Sequence, residues 1–98
     1  MKTEVIYTVT GIPYTGCGGH RNFGWYPKFE RAEQAVYANQ GCLDEAGYYE
    51  WIVIEEIPQG VWAGCNRGME AWYHWNKNKY VKTEKPEIFR GMVAWGMG

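Results

Sequence analysis

A glycine-rich segment that ends in an arginine is the feature of this sequence best suited to bind an anion. In Gly16-Cys-Gly-Gly-His-Arg21, an anion can approach the backbone N–H groups closely because glycine has no side chain, and Arg21 can hold a phosphate through two N–H groups. The glycine spacing is that of neither a Walker loop nor a dinucleotide fingerprint. The competing interpretation is a flexible connector whose glycines satisfy turn geometry.

Aromatic residues surround this segment, and a second loop repeats its character. Tyr14 lies within the same loop, Trp25 follows it, and Gly64-Cys-Asn-Arg-Gly68 combines small residues with Arg67 next to Trp62. Bases stack on aromatic faces with roughly 1–3 kcal/mol each. Two arginine loops among aromatic rings therefore predict a site for a small, phosphate-bearing nucleotide.

Each residue of this predicted site has an expected role. Arg21 and Arg67 are expected to contact phosphates, and Gly18 and Gly19 are expected to let the backbone approach the ligand. Aromatic rings are expected to stack on the bases, His20 to add a hydrogen bond, and the C-terminal end to cover the pocket or a neighbouring subunit. The predicted ligand-binding residues are Tyr14, Gly18, Gly19, His20, Arg21, Trp25, Arg67, Trp75 and Trp95.

Metal binding is a weaker interpretation of the same segment. Cys17-x-x-His20 has the spacing of half a zinc site, whereas Cys42, Cys65 and His74 each stand alone in the sequence. A structural zinc site needs paired ligands. We therefore predict no metal and no cofactor.

Catalysis is not predicted either. The chain has no serine and no nucleophile signature, so an enzyme acting on a nucleotide would need Cys17, His20 or His74 beside a carboxylate. Glu55 and Glu56 are adjacent in a predicted strand, so they face opposite sides and cannot form an acid–base pair. The expected solvated edge charges are Asp44, Glu45, Glu55 and Glu56.

Length, charge and cysteine content restrict the class of protein. At 98 residues the chain is expected to form one domain, residues 1–98. Ten basic and eleven acidic side chains give a net charge of −1, which argues against DNA or RNA as the partner. No signal peptide or membrane span is visible. Three widely spaced cysteines do not suit a disulfide framework, so we predict a cytoplasmic protein.

Hydrophobic periodicity predicts a small α+β fold, with four or five antiparallel or mixed strands packed against one main helix. The predicted strands cover residues 4–10, 22–26, 48–57, 69–75 and 79–84, the last two as a hairpin. The third of these is expected to be central, and the first is expected to be half-buried, with Thr8 and Thr10 on its polar face. Residues 11–20 are predicted as a loop, 29–40 as the main helix and 86–90 as a short helix.

Aromatic content points to an interface or a pocket. Six Trp, eight Tyr and three Phe are more aromatic surface than a core of this size encloses. A small domain also gains stability from self-association, so we expect a homo-oligomer.

The order of several motifs resembles that of small phage and prophage immune-evasion proteins. Some of these proteins are sponges that sequester the cyclic nucleotide signals of bacterial antiphage immunity, including the anti-CBASS 4 type. The resemblance implies a non-enzymatic, oligomeric protein of the host cell cytoplasm that binds a cyclic dinucleotide such as cGAMP and does not cleave it. The motifs are Arg21-x-x-Gly-Trp25, Arg31-Ala-Glu-Gln-Ala-Val36, Glu45-Ala-Gly-Tyr-Tyr49, Trp51-Ile-Val-Ile-Glu55, Glu70-x-Trp72-x-x-Trp75, Lys85-Pro-Glu87 and the Gly-Met-Gly98 end.

The alternative hypothesis is a phage inhibitor or adaptor that binds a host protein through exposed Trp and Tyr, which are typical hot-spot residues of interfaces. Such a protein is expected to present a flat aromatic patch. A sponge is expected to present a concave pocket lined by basic loops.

Overall fold

The computed structural model describes residues 5–13, 19–38, 49–58, 69–77 and 79–89. Within these ranges the chain forms an α+β fold with one main helix, as predicted. Neither helix in these ranges has the length and apolar character needed to cross a membrane. The elements are β1 (Val5–Pro13), β2 (Arg21–Tyr26), α1 (Phe29–Ala38), β3 (Tyr49–Pro58), β4 (Glu70–Asn76), β5 (Lys79–Thr83) and a 3₁₀ helix (Glu87–Phe89).

The five strands form one antiparallel sheet in the order β2-β1-β3-β4-β5. Because β1 is antiparallel to both β2 and β3, these two strands run in the same direction with β1 between them. Helix α1 connects them. Strand β3 is central, as predicted, and Ile52, Val53 and Ile54 are all fully buried, which requires cover on both faces of the sheet.

Helix α1 covers one face because its apolar residues recur with helical spacing. Ala32, Ala35 and Val36 form one apolar stripe along the helix, and all three are buried. The carbonyl oxygen of Lys28 accepts hydrogen bonds from the N–H groups of Arg31 at 3.2 Å and Ala32 at 3.3 Å, which starts the first turn. Two residues of the stripe, Ala32 and Val36, belong to a core cluster with Val9, Tyr49, Ile52, Ile54, Ala71, Tyr73 and Tyr80.

A second, smaller core lies on the opposite face of the sheet. Phe89 of the 3₁₀ helix stacks on Trp72, with ring centroids 5.4 Å apart and an interplanar angle of 16°. It meets Trp51 edge-on at 5.1 Å. Trp72 and Phe89 are almost completely buried. Much of the aromatic surplus is therefore used to build cores on both faces.

Strand β1 extends beyond its predicted end. Gly11, Ile12 and Pro13 were expected in the loop 11–20, but all three pair with β3, so this boundary was wrong. Packing explains the glycine: a Cβ atom at Gly11 would lie 2.6 Å from Cε2 of Phe23 and 2.8 Å from Cγ of Tyr49. A glycine that indicates a turn when considered alone here allows two rings to close over a strand.

Polar residues predicted to face water are buried on the sheet. Thr8, Thr10 and Glu55 are at most 5% exposed. The interpretation of Glu55 as a solvated edge charge was therefore wrong, because β3 is covered on both faces. Glu56 faces the opposite side, as predicted, and accepts a 3.0 Å hydrogen bond from the hydroxyl of Tyr7.

Candidate functional site

Part of the predicted ligand site lies in the described ranges. The predicted residues within them are Gly19, His20, Arg21, Trp25 and Trp75, and those outside them are Tyr14, Gly18, Arg67 and Trp95. Of the five predicted site residues that are described, all except Trp75 lie in β2 or directly before it. The edge strand β2, with the two residues before it, is therefore the candidate site.

The backbone at Gly19 leads the chain into this edge strand. Gly19 has φ +78°, a left-handed conformation that glycine adopts without the strain of a side chain. His20 follows, and Arg21 opens β2 opposite Gly11 of β1. Because β2 is at the end of the strand order, these residues stand at the rim of the sheet.

Arg21 lies beside an aromatic ring on the helix side of the sheet. Its guanidinium carbon is 6.0 Å from the ring centroid of Phe23, at the outer limit of a cation–π contact. Phe23 packs edge-on against Tyr49, with ring centroids 5.1 Å apart. The Arg21 side chain is exposed. The sheet edge thus presents an exposed arginine beside a packed aromatic ring.

Trp25 projects from the other face of the same strand. Trp25 pairs with Thr8, and Arg21 pairs with Gly11, three positions further along β1, so their side chains leave β2 on opposite sides. Trp25 is 60% exposed. A ligand that contacts both Arg21 and Trp25 must therefore straddle the edge of the sheet.

Trp75 is not brought to this edge. It packs against Tyr80 with ring centroids 4.9 Å apart, and the hydroxyl of Tyr80 donates a 2.9 Å hydrogen bond to the carbonyl of Tyr49. Together with Phe23, these residues form an aromatic row across the sheet that begins beside Arg21. At about 4.8 Å per strand, Trp75 lies roughly 14 Å from β2, three strands away.

A histidine–carboxylate pair that the sequence did not reveal lies near the other side of the sheet. Nε2 of His74 is 2.8 Å from Oε2 of Glu50, and their side chains are 43% and 24% exposed. The ring of Trp51, which pairs with His74 across β3 and β4, lies 5.4 Å from the imidazole. The β1–β3 register shifts between Ile12 and Pro13, so Glu50 is an additional residue in β3 and reaches the face that carries Trp51.

This pair has the chemistry of a general base oriented by a carboxylate. Glu50 fixes the Nε2 side of the imidazole, and no residue that the structure describes hydrogen-bonds Nδ1. An oriented, half-exposed imidazole can accept a proton from water or from a substrate hydroxyl. The signal in the sequence was weak, because strict alternation places Glu50 and His74 on opposite faces.

The described ranges contain no group of three metal-ligating side chains. The three cysteines all lie outside those ranges. The Cys17-x-x-His20 spacing, the alternative interpretation as half a zinc site, is not tested, because Cys17 lies outside the described ranges.

Comparison with family models, curated proteins and solved structures gave no match for this chain. The function is therefore inferred from the side chains at the sheet edge and on the two faces.

Proposed function

We propose that this protein binds a cyclic dinucleotide, such as cGAMP, at the β2 edge and sequesters it without cleaving it. The proposed setting is a phage-encoded, homo-oligomeric sponge for a cyclic nucleotide immune signal in the host cytoplasm, in agreement with the motif order. The observation that supports the binding role most directly is that Arg21 and Trp25, an exposed guanidinium and an exposed indole, share one edge strand.

The shape of a cyclic dinucleotide suits this arrangement. Its two phosphates are part of one macrocycle that carries two bases, so a base can stack on Trp25 while a phosphate contacts Arg21 across the edge. Stacking contributes roughly 1–3 kcal/mol per base, and arginine can bind a phosphate through two hydrogen bonds. Gly19 and His20 directly precede Arg21, so a backbone N–H group and an imidazole lie near the proposed phosphate position.

The contact set within one chain differs from the predicted set at one residue. Trp75 is too far from β2 to reach the same ligand, so it is left out. The contributions of Tyr14, Gly18, Arg67 and Trp95 remain predictions, because these residues lie outside the described ranges.

A thermal-shift panel of cyclic dinucleotides, cyclic trinucleotides and NAD-derived signals tests the proposal. A ligand that binds only the folded state raises the melting temperature. We expect one purine-containing ligand to raise the melting temperature by several degrees. Mass spectrometry of the ligand released after denaturation should then show that it is intact. No shift with any of these ligands, in a protein shown to be folded, contradicts the proposal and favours the inhibitor or adaptor hypothesis.

Matched variants locate the site. Arg21→Ala and Arg31→Ala each remove one exposed guanidinium, but Arg31 is on α1. We expect Arg21→Ala to raise Kd by about tenfold or more and Arg31→Ala to leave it unchanged. Trp25→Ala is compared in the same way with Ile88→Ala, which removes an exposed apolar side chain elsewhere. Equal losses within either matched pair would show that binding does not use the β2 edge.

The second candidate is a small enzyme that uses His74 as a general base, and the 2.8 Å contact with Glu50 is the observation that favours it. Incubating the bound nucleotide with the protein and analysing it by chromatography and mass spectrometry distinguishes the two functions. Cleavage that slows in both His74→Gln and Glu50→Gln supports the enzyme. Complete recovery of intact nucleotide after prolonged incubation excludes cleavage of that ligand and supports sequestration.

A further inference from the structure

Strand β5 forms the second edge of the sheet. It pairs with β4 over all five of its residues without a register shift. In the described ranges no further strand pairs with it. Lys79, Val81 and Lys82 are exposed. A regular, accessible edge of this kind can accept another extended chain through backbone hydrogen bonds.

A shallow groove of about 500 Å³ runs along this edge. Helix α1 supplies Tyr37 to the groove, and β5 supplies the remaining lining residues, which are Lys79, Tyr80, Val81 and Lys82. Tyr37 and Val81 are 46% and 38% exposed, although both are large and apolar or aromatic. An extended chain that pairs with β5 would cover both side chains. A compact ligand bound in such an open groove would not.

The charge of the groove indicates which kind of partner segment it can bind. Strand β5 carries Lys79 and Lys82 and no carboxylate. Lys79 forms no ion pair with any residue that the structure describes. Nζ of Lys82 is 3.6 Å from Oε2 of Glu33, but the lysine side chain is 57% exposed, so solvent partly screens this contact. Pairing two copies of β5 would bring four lysines together, so charge favours an acidic partner over a second copy.

We propose that the β5 edge binds an extended acidic segment of a partner protein, which adds as a further antiparallel strand. Lys79 and Lys82 are three positions apart, so their side chains lie on opposite faces of the strand. The matching segment therefore carries two carboxylates three positions apart, with β-branched apolar residues between them opposite Tyr80 and Val81. This surface is at the opposite edge of the sheet from β2, so it does not depend on the proposed nucleotide site.

A blocked peptide of sequence Thr-Glu-Ile-Val-Glu-Thr, with acetylated and amidated ends, is the probe. It supplies a glutamate for each lysine when it pairs antiparallel to β5. Binding is measured by isothermal titration calorimetry at low salt, and its location by amide hydrogen exchange. We expect slower exchange in residues 79–83, no change in residues 21–26, and weaker binding as salt is raised.

Charge reversal tests the pairing. Lys79→Glu is expected to raise the peptide Kd about tenfold, and a peptide with lysine in place of its second glutamate is expected to recover binding to this variant. Lys28→Glu changes the net charge by the same amount at an exposed position before α1 and is expected to leave Kd unchanged. Lys79 makes no ion pair with any residue in the described ranges.

Three results would overturn the proposal. They are the absence of peptide binding at millimolar concentration, equal weakening in Lys79→Glu and Lys28→Glu, and exchange protection outside residues 79–83. Sedimentation that shows self-association abolished by Lys79→Glu would also overturn it, because the occupant of the edge would then be a second copy of the chain.

Discussion

The hydroxyl of Tyr73 donates a 2.7 Å hydrogen bond to Oε2 of Glu33, which joins the fourth strand of the sheet to helix α1. Tyr73 is fully buried, and Tyr37 meets its ring edge-on at 5.6 Å. Nζ of Lys82 lies 3.6 Å from the same oxygen of Glu33. One carboxylate therefore receives both a strand hydroxyl and an edge ammonium, so helix docking depends on a polar contact as well as on the apolar stripe.

Removing this hydroxyl should weaken helix docking. Tyr73→Phe keeps the ring and deletes the hydrogen bond to a charged acceptor, so we expect the free energy of unfolding to fall by about 2 kcal/mol. Urea denaturation followed by tryptophan fluorescence measures the change. Tyr37→Phe is the comparison, since Tyr37 also interacts with Glu33 but is 46% exposed, and this variant should lose less stability. Equal losses of stability in the two variants would mean that the hydrogen bond from Tyr73 to Glu33 stabilises the fold no more than the Tyr37 hydroxyl does.

The same residue predicts a loss of stability at alkaline pH. Burial, and then the hydrogen bond to Glu33, raise the pKa of Tyr73 above its ordinary value of 10.0. The folded state therefore keeps the proton after the unfolded state has released it, so stability is fully present below about pH 10 and falls as pH rises further. Denaturation at about pH 8 and about pH 11 should show a smaller alkaline loss in Tyr73→Phe than in the unmodified protein. The pKa values of Tyr7 and Tyr37 are also raised, so part of the loss should persist.

Gly11→Ala should destabilise the sheet through steric overlap. The new methyl group would stand 2.6 Å from Cε2 of Phe23, and overpacking of this kind costs about 1–3 kcal/mol. Thermal unfolding measures the effect. In a Phe23→Leu background the additional cost of Gly11→Ala should be smaller, because one of the two obstructing rings, that of Phe23, is absent while that of Tyr49 remains. Additive costs in the double variant would contradict the steric explanation.

Two adjacent residues of the 3₁₀ helix are expected to contribute very differently to stability. Phe89 is 2% exposed between Trp72 and Trp51, whereas Ile88 is 64% exposed. Phe89→Ala should lower the free energy of unfolding by about 3 kcal/mol and shift the tryptophan fluorescence to the red. Ile88→Ala should change stability by less than about 0.5 kcal/mol. A small effect of Phe89→Ala would show that the second core contributes little.

Arg21→Ala should separate binding from stability. The side chain is exposed and its contact with Phe23 is at the outer limit of a cation–π interaction, so we expect a stability loss of less than about 1 kcal/mol. Binding of the cyclic dinucleotide identified in the panel should be lost in the same variant. A large drop in melting temperature would instead make Arg21 a structural residue.

The elements with a strong local pattern were predictable from the sequence. Ile52, Val53 and Ile54 in succession indicate a strand covered on both sides, and the spacing of Ala32, Ala35 and Val36 indicates one helical face. These patterns report the environment of each segment by itself. The α+β class and the central position of β3 followed from them.

What escaped prediction depends on contacts between segments that are distant in sequence. A glycine is found at position 11 of a strand because the rings of Phe23 and Tyr49 occupy the space that a side chain would need. Glu50 reaches His74 because a register shift adds a residue to β3. The opposite directions of Arg21 and Trp25 likewise follow from their partners on β1, which the sequence of β2 does not specify.

The position of β1 between β2 and β3 has a kinetic consequence. During synthesis β1 and β2 emerge one after the other, so this hairpin can form early, but the other side of β1 has no partner until β3, which begins at Tyr49, has been synthesised. Closing that loop costs entropy before any pairing energy is gained, so docking of β3 against β1 should limit the folding rate. Until then β1 is an open template, and the nascent chain is at its most vulnerable to mispairing with another copy of itself.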